Sequence, residues 1–520
     1  MKDERGKPMQ LISIIPDFQP LNDGRLLDKA EAFKPALHYA ACSAPASCRL
    51  NGDDITPAAL TDRSLAKGDQ VVLDFGCHLV GRLTLELGCA GSHQDAPAYI
   101  QLDMAEIAAE LDEDADRYQG WLSRSWIQQE RLHVDLLPAR VALPRRYAFR
   151  YVRLTVLDTS PKYQLVLKGA SCVAESAVNM DALPARSFAD DRLRRIYEAS
   201  LRTLADCSQL VLEDGPKRDR RLWLGDLRLQ ALTSYVSFRS YGLIKRCLYL
   251  FAGTRFPDGR MSANIFTDGT PVADDTYPAD YALMMLPALD EYLAETGDRE
   301  ALDDLLGPAL EQVDYVLGHC LTEQFAIDEA CGESSFIDWC DGLDRRAAVQ
   351  GVLICALDAA ASLCARAGDH GKQQHYANKA ADLRRAAREQ FWSDERHCFV
   401  SGGQVSVHSQ VWMTLANVTC GQEAAMAMEI ALSAGEVRMG APYMHHYYVM
   451  ALLQAGCRDK AEAHLREYWG GMLDAGADTF WECWDPADPG ASPYGGVIVN
   501  SFCHAWSCTP AYIIDRFLSD

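Results

Sequence analysis

The residues best suited to chemistry lie in one short stretch of the sequence, which reads DGPKRDRRLWLGD from Asp214 to Asp226. Its three aspartates, Asp214, Asp219 and Asp226, alternate with four cationic side chains. Trp223 lies among them. Cleavage of a sugar linkage needs carboxyl groups with different surroundings, one protonated as an acid and others ionised to hold hydroxyls. The ordinary alternative is a solvated, salt-bridged connector, but the mixture of acids, arginine and tryptophan favours one wall of an active site.

A second acidic stretch lies more than 250 residues later and reads DTFWECWD from Asp478 to Asp485. Glu482 directly follows Trp481 and precedes Trp484 by two residues. An apolar wall of this kind suits the flat face of a sugar ring, and removal of water raises the pKa of a carboxyl group. In the alternative interpretation, both tryptophans are ordinary core residues and Glu482 is a surface acid.

Three further loops carry weaker candidates. Asp338 and Trp339 lie in the sequence FIDW, and His504 lies in CHAW. A single histidine near a helix end is more often a cap or a core residue than a catalyst. His445 and His446 are adjacent, so they point in different directions on a helix and make a poor pair of metal ligands. We therefore expect no metal and no cofactor.

The bulk composition excludes several classes of partner. The chain has 520 residues and a formal net charge of −23. Such a charge repels phosphate backbones and anionic lipids, so we expect neither nucleic acid nor a membrane surface as a partner. A neutral carbohydrate is indifferent to it.

The cysteines and the N-terminus indicate a reduced compartment. The 18 cysteines are scattered, and no pairs recur at zinc-finger spacing. The first ten residues, MKDERGKPMQ, are charged and lack the apolar region of a secretion signal. We expect no membrane span, because no apolar run approaches the length that one needs. We expect a cytoplasmic protein.

The hydrophobic periodicity changes near residue 180 and predicts two domains, 1–180 and 181–520. Segments 71–75, 81–87 and 147–157 alternate apolar with polar residues or are rich in β-formers. Pro and Gly separate them at short intervals, which predicts an N-terminal antiparallel β-sandwich.

The second region has the periodicity of helices. Leu193, Ile196, Tyr197, Leu201 and Leu204 fall on one helical face. At about 28 residues per helix and loop, about twelve helices fit, the number in an (α/α)6 barrel. The alternative is a binding solenoid, but no repeat with a consensus is present. Longer helical patterns recur at 226–251, 278–296, 301–319, 346–367, 372–391, 407–416, 421–434, 442–455 and 458–467.

Together these motifs resemble those of the glycoside hydrolase family 78 α-L-rhamnosidases. The stretch from Asp214 to Asp226 resembles the family's Asp-Cys-Pro-x-Arg-Glu-Arg-Leu-Gly-aromatic-x-Gly-Asp, with the three acids at matching spacing. DTFWECW resembles Thr-Thr-x-Trp-Glu-x-Trp, and FIDW resembles Phe-Gly-Asp-Trp. His504 falls where the family has a histidine at a helix start. The resemblance covers nearly the whole chain, including LDFG at 73–76 and FRYVR at 149–153.

The resemblance implies a mainly α protein in which an (α/α)6 barrel follows a β-sandwich, and an enzyme that hydrolyses terminal α-L-rhamnosides with inversion. By position, Asp219 matches the general acid and Glu482 the general base. The same correspondence assigns Asp214 and Asp226 to the sugar hydroxyls and places six further side chains along the subsite, namely Arg218, Trp223, Asp338, Trp339, Trp481 and His504.

This sequence departs from the family pattern at two places. The acid is usually Glu, and Asp219 is one methylene shorter, so either its backbone lies closer or a neighbouring acid takes the role. The glycine–aromatic pair is replaced by Trp223 and Leu224. Two other functions remain open at this point: another (α/α)6-barrel exo-glycosidase or lyase, and a non-catalytic carbohydrate-binding protein. A homodimer is compatible with the sequence, which fixes neither the oligomeric state nor the aglycone.

Overall fold

The structure is a computed structural model that describes residues 15–518. The N-terminal stretch that is predicted to lack a secretion signal lies outside the described residues. A mainly α protein with an antiparallel β domain ahead of an (α/α)6 barrel is confirmed.

One long strand, Gln70–Gly91, organises the β domain. Its first half pairs with Tyr147–Asp158 and its second half with Tyr163–Ser176, both antiparallel. The sequence predicts two separate strands here, but the chain bends through Gly76, which has φ 81°, without leaving the sheet. The halves therefore enclose one apolar core. The other main strands are Ser47–Leu50, Asp53–Ile55, Ala98–Ala105, Gln129–Val134 and Ala139–Ala142.

The start of the described chain packs on the helical domain, although the sequence places it within the β domain. The helix Gly24–Ala32 packs against Tyr241–Gly253. Ahead of it, Leu21–Asn22 pairs with Thr254–Arg255. Within the predicted first unit, 1–180, residues 21–32 therefore pack on the barrel, because the apolar face of this helix contacts Tyr241–Gly253.

The barrel consists of two concentric layers of helices. The inner layer is closed, since Pro510–Ile513 packs against Leu224–Val236, which begins the ring. The inner helices are Leu224–Val236, Ala279–Leu283 continued by Met285–Thr296, Arg346–Ala367, Val407–Leu415, Pro442–Gln454 and Pro510–Ile513. The outer helices are Asp191–Cys207, Tyr241–Gly253, Arg299–His319, His370–Phe391, Gly421–Ala434 and Arg458–Asp474. A closed ring excludes the solenoid.

Burial distinguishes the two layers in the way their sequences require. The inner helix Arg346–Ala367 is apolar on nearly every face, whereas the outer helix His370–Phe391 buries a single stripe. The inner helix has the length and composition of a membrane span, but 78% of its most apolar window is buried inside the protein. It is the core helix of the barrel.

One predicted helix is two helices in the structure. The pattern over 226–251 divides into Leu224–Val236 and Tyr241–Gly253. Between them Arg239 has φ 51°, and the Ser234 hydroxyl accepts a hydrogen bond from the Ser240 amide at 3.2 Å. Apolar periodicity continues across this corner because both helices are buried, so it does not reveal the break.

Candidate active site

A pocket of about 310 Å³ opens where the end of the barrel meets the β domain. Eight of the ten predicted site residues line it: Asp214, Arg218, Asp219, Trp223, Asp226, Trp339, Glu482 and His504. The fold therefore joins two stretches of chain that are more than 250 residues apart.

Two predicted side chains, those of Asp338 and Trp481, lie behind the residues that line the pocket. Asp338 is fully buried and accepts hydrogen bonds from the Gly440 amide (2.8 Å) and from His408 (2.7 Å). Trp481 packs edge-on against Trp484, with ring centroids 5.2 Å apart. Both residues pack behind the residues that line the pocket. A family motif does not show which of its residues line a pocket and which pack behind the lining.

The acidic stretch forms a tight turn whose base is closed by hydrogen bonds. The Arg221 amide donates to Oδ1 of Asp214 at 3.0 Å, and the Arg220 amide donates to the carbonyl of Gly215 at 3.1 Å. After the turn, Trp223 caps the inner helix Leu224–Val236, which carries Asp226 in its first turn. The three aspartates therefore face one cavity from a turn and a helix start.

Arg218 connects the two predicted catalytic carboxylates. Its side chain is 3% exposed; one Nη is 3.4 Å from Asp219, and the other forms an ion pair with Glu482. Its Nε donates to the carbonyl of Val499 at 2.9 Å, and its guanidinium lies 4.2 Å from the ring centroid of Tyr494. The Tyr494 hydroxyl donates to the second carboxylate oxygen of Glu482. Glu482 is thus held at both oxygens.

Asp214 and Asp226 lie in a strongly desolvated part of the pocket. Burial, reinforced by the nearby carboxylates of Asp219 and Asp226, raises the pKa of Asp214 well above its ordinary value. Burial, reinforced by Glu482 and Asp219, does the same to the pKa of Asp226. Burial and the charge of Arg218 lower the pKa of His504 well below its usual range. Desolvation therefore favours the uncharged forms of Asp214, Asp226 and His504.

Several buried polar atoms around the cavity have no hydrogen-bond partner among the described residues. They include the indole nitrogens of Trp223 and Trp339, Nε of Arg221, Nδ1 of His504 and Oδ1 of Asp226. Unmet donors and acceptors at the wall of one pocket are costly unless a ligand or water completes them. Their mixture of donors and an acceptor suits hydroxyl groups, which both donate and accept.

Aromatic rings that the sequence analysis did not select complete the deep part of the pocket. Trp506 lies 4.2 Å from His504 and is stacked on Phe336 at 5.9 Å, measured between ring centroids. Phe336 in turn packs edge-on against Trp339. Both missed rings lie inside the motifs FIDW and CHAW, so the signal was present next to the chosen residues.

The β domain also contributes to the lining, which the division into domains did not predict. Trp121 and Trp126, from the loop that follows its strand Ala98–Ala105, reach the pocket. The Trp121 indole donates to the carbonyl of Pro493 at 2.8 Å. Beside it, Tyr118 donates to the carbonyl of Tyr494 at 2.9 Å. The sequence signal for this contribution was the presence of two tryptophans in a loop that lacks the apolar–polar alternation of a strand.

Two groups of described side chains are close enough to share a metal ion. The first is His78, Asp206 and Cys503, and the second is Asp338, Cys340 and His408. Each histidine is already hydrogen-bonded to the aspartate of its own group at 2.7 Å, which accounts for the proximity. Neither group lines the pocket, and we assign no metal role to them.

The sequence and the fold were compared with known proteins. The family profile of the glycosyl hydrolase family 78 alpha-rhamnosidase N-terminal domain matches residues 44–174. That of the bacterial alpha-L-rhamnosidase 6 hairpin glycosidase domain matches residues 187–517. A search of curated proteins found no match.

Among solved structures, a rhamnosidase from Klebsiella oxytoca with rhamnose bound is similar over 96% of this chain and 100% of its own, with 41% identity and a TM-score of 0.93. A family 78 rhamnosidase of Bacillus sp. GL1 is 22% identical over 86% of this chain and 46% of its own, with a TM-score of 0.72. An alpha-L-rhamnosidase of Streptomyces avermitilis complexed with L-rhamnose is 18% identical over 93% of this chain and 44% of its own, with a TM-score of 0.67. The chain belongs to glycoside hydrolase family 78, the α-L-rhamnosidases.

Proposed function

We propose that the chain hydrolyses terminal, non-reducing α-L-rhamnosides with inversion, using Asp219 as the general acid and Glu482 as the general base. One observation carries this proposal: two carboxyl groups from distant parts of the chain face one pocket and are joined by a buried arginine. A binding protein needs hydroxyl partners, but it does not need a second carboxylate held by the same buried arginine.

The deep part of the pocket supports a rhamnosyl ring as the ligand. Asp214, Asp226 and His504 offer polar atoms to hydroxyls, and Trp506 offers an apolar face. The Klebsiella oxytoca relative is described with rhamnose bound, and it matches this chain along its whole length. The neutral ligand fits a protein with a charge of −23.

The surroundings of the two catalytic carboxyls fit different tasks. The side chain of Asp219 is 18% exposed and its contact with Arg218 is 3.4 Å long, so it is less constrained than Glu482, and we assign it to the leaving group. Protonated Asp219 donates its proton to the glycosidic oxygen as the bond to the anomeric carbon breaks. The side chain of Asp219 is one methylene shorter than the family's usual Glu. The tight turn compensates for this, because it places the backbone of Asp219 close to the cavity.

Glu482 is suited to activate water because it is fixed at both oxygens. Arg218 and Tyr494 leave it little freedom to rotate. It removes a proton from a water that attacks the anomeric carbon from the face opposite to the leaving group. The products are free rhamnose of inverted configuration and the released alcohol.

The roles are tested with Asp219→Asn and Glu482→Gln on two substrates, p-nitrophenyl and methyl α-L-rhamnoside. General acid–base groups contribute about 10²–10⁴-fold each, so Glu482→Gln should reduce kcat/KM on both substrates by that factor. Asp219→Asn should reduce it far more on the methyl glycoside, because p-nitrophenolate leaves without a proton. Wild-type rates on both substrates in a folded variant would reject the corresponding role.

A further inference from the structure

A buried ionic cluster lies at the boundary between the β domain and the catalytic turn. The Lys217 side chain is 2% exposed, and its Nζ is 2.6 Å from Oε2 of Glu110 and 3.4 Å from Oε2 of Glu106. Both glutamates follow the β-domain strand Ala98–Ala105, whereas Lys217 belongs to the turn that carries Asp219. Only Arg218 separates the anchored lysine from the proposed acid.

Glu106 extends the cluster to the segment that holds the proposed base. Its Oε2 accepts a hydrogen bond from the Phe502 amide at 2.6 Å, and its Oε1 is 3.0 Å from Nε2 of His78. The carbonyl of Ser501, one residue earlier, accepts from the Glu482 amide at 3.0 Å. One carboxylate of the β domain therefore contacts both catalytic walls.

The turn from Asp214 to Arg221 is tightly packed, and Lys217 lies at its tip. Its base is closed by hydrogen bonds, and its interior is tightly packed: a Cβ at Gly215 would lie 2.5 Å from the carbonyl oxygen of Arg218 and 2.5 Å from Oγ of Ser501. Lys217 is a charged side chain of the turn that contacts the β domain directly. A displacement at Lys217 is therefore transmitted along two peptide bonds to Asp219.

The electrostatics of the cluster make this position well defined. A buried charge without a partner is strongly unfavourable, so Lys217 has one low-energy location, between the two glutamates. Burial, opposed by the charge of Lys217, raises the pKa of Glu110 to about 7. Glu110 also accepts hydrogen bonds from the amides of Glu106 (2.8 Å) and Ile107 (3.1 Å), which fixes its own orientation.

We propose that Lys217 is a positioning residue that Glu106 and Glu110 of the β domain hold in place, and that it sets the location of the proton donor Asp219. The β domain is then a working part of the catalytic centre and not a separate module. This inference rests on the proposed function, because it assigns a purpose to the location of Asp219.

The experiment measures the ratio of kcat/KM on p-nitrophenyl to that on methyl α-L-rhamnoside for Glu110→Gln and Lys217→Met. A displaced acid slows a poor leaving group more than an activated one, so the ratio should rise about tenfold or more in both variants. A smaller fraction of folded enzyme lowers both rates equally and leaves the ratio unchanged. Glu110→Gln keeps the shape of the side chain and serves if Lys217→Met does not fold.

Lys245→Met is the matched control. Lys245 is also nearly buried, at 7% exposure, and is paired with Asp298 at 2.8 Å, but it lies on an outer helix away from the pocket. The Lys245→Met variant should be less stable than the wild type, but its ratio of kcat/KM on the two substrates should equal that of the wild type. Asp219→Asn supplies the reference for complete loss of the acid.

The outcomes separate this inference from the proposed function. A raised ratio in Asp219→Asn, Glu110→Gln and Lys217→Met supports both. A raised ratio in Asp219→Asn alone overturns the positioning role and leaves the acid assignment intact. A wild-type ratio in Asp219→Asn overturns the acid assignment, and the positioning role with it.

Discussion

At the scale of single residues, the site concentrates groups that are unfavourable for folding. Asp214 and Asp226 are 3% and 2% exposed, and Oδ1 of Asp226 has no partner among the described residues. Such groups cost stability unless a ligand completes them. Their presence around one cavity is the residue-level sign of a site built for hydroxyls.

Asp226→Asn should therefore stabilise the protein at alkaline pH while it reduces activity. The native pKa of Asp226 is raised by burial, so the native state binds its proton more tightly than the unfolded state, whose pKa is about 3.9. The contribution of Asp226 to the free energy of unfolding is then fully present below about pH 4, and it falls as the pH rises toward the native pKa. Asn removes this dependence, and one pKa unit is worth about 1.4 kcal/mol.

The check is thermal unfolding of wild type and Asp226→Asn at pH 5 and pH 8. We expect the gain in unfolding free energy to be larger at pH 8 than at pH 5, with turnover reduced at both values. A gain that does not depend on pH would contradict the raised pKa. Leu232→Ala, a buried change on the same helix, should destabilise at both pH values.

At the scale of elements, the sequence predicted the extent of single helices well, and the corners between consecutive buried helices less well. Arg346–Ala367 begins and ends where its periodicity predicts. The corner between Leu224–Val236 and Tyr241–Gly253 is invisible because apolar residues continue through it. Packing partners, such as that of Gly24–Ala32, depend on contacts across more than 200 residues, which periodicity does not encode.

The same limit applies to the site. Residue type and spacing selected four acids that the fold brings to one pocket, and their catalytic roles stay a prediction. They did not separate Asp338, which hydrogen-bonds behind the wall, from Trp339, which reaches the pocket. Nor did they select Tyr494, because a tyrosine in a loop carries no pattern until the loop folds over Glu482.

Tyr494→Phe tests the loop that holds the base. Loss of the hydroxyl leaves one oxygen of Glu482 without its partner, and a neutral or charged hydrogen bond of this kind contributes about 1–3 kcal/mol. We expect kcat/KM to fall by about ten- to a hundredfold on methyl and p-nitrophenyl rhamnosides alike, since both need the activated water.

A matched change at Tyr235→Phe, a buried tyrosine of the barrel away from the pocket lining, should leave kcat/KM near the wild-type value. A preferential loss on the methyl glycoside in Tyr494→Phe would show that the tyrosine serves the acid instead of the base.

At the scale of the whole molecule, the two domains form one active site. The β domain supplies Trp121 and Trp126 to the lining, and Glu106 and Glu110 to the catalytic turn. The first described helix of the chain, Gly24–Ala32, packs against the helical domain. The two domains are therefore joined by apolar packing, by buried ion pairs and by the N-terminal helix that packs on the barrel.

A chain that begins at residue 181 should accordingly lose at least a hundredfold in kcat/KM, because Lys217 loses both of its partners and the pocket loses one side. Turnover of p-nitrophenyl α-L-rhamnoside by the purified 181–520 chain checks this, with circular dichroism to measure its helix content. Turnover equal to that of the full chain would contradict a shared active site.

The central claim is inverting hydrolysis of an α-L-rhamnoside between Asp219 and Glu482. Its most direct test is NMR of the anomeric proton during the first minutes of methyl α-L-rhamnoside hydrolysis, before mutarotation. Attack by water on the face opposite to the leaving group predicts that β-L-rhamnose is formed first and that the α-anomer appears later. Initial formation of α-L-rhamnose would contradict the account, because it requires a covalent intermediate on a nucleophilic carboxylate.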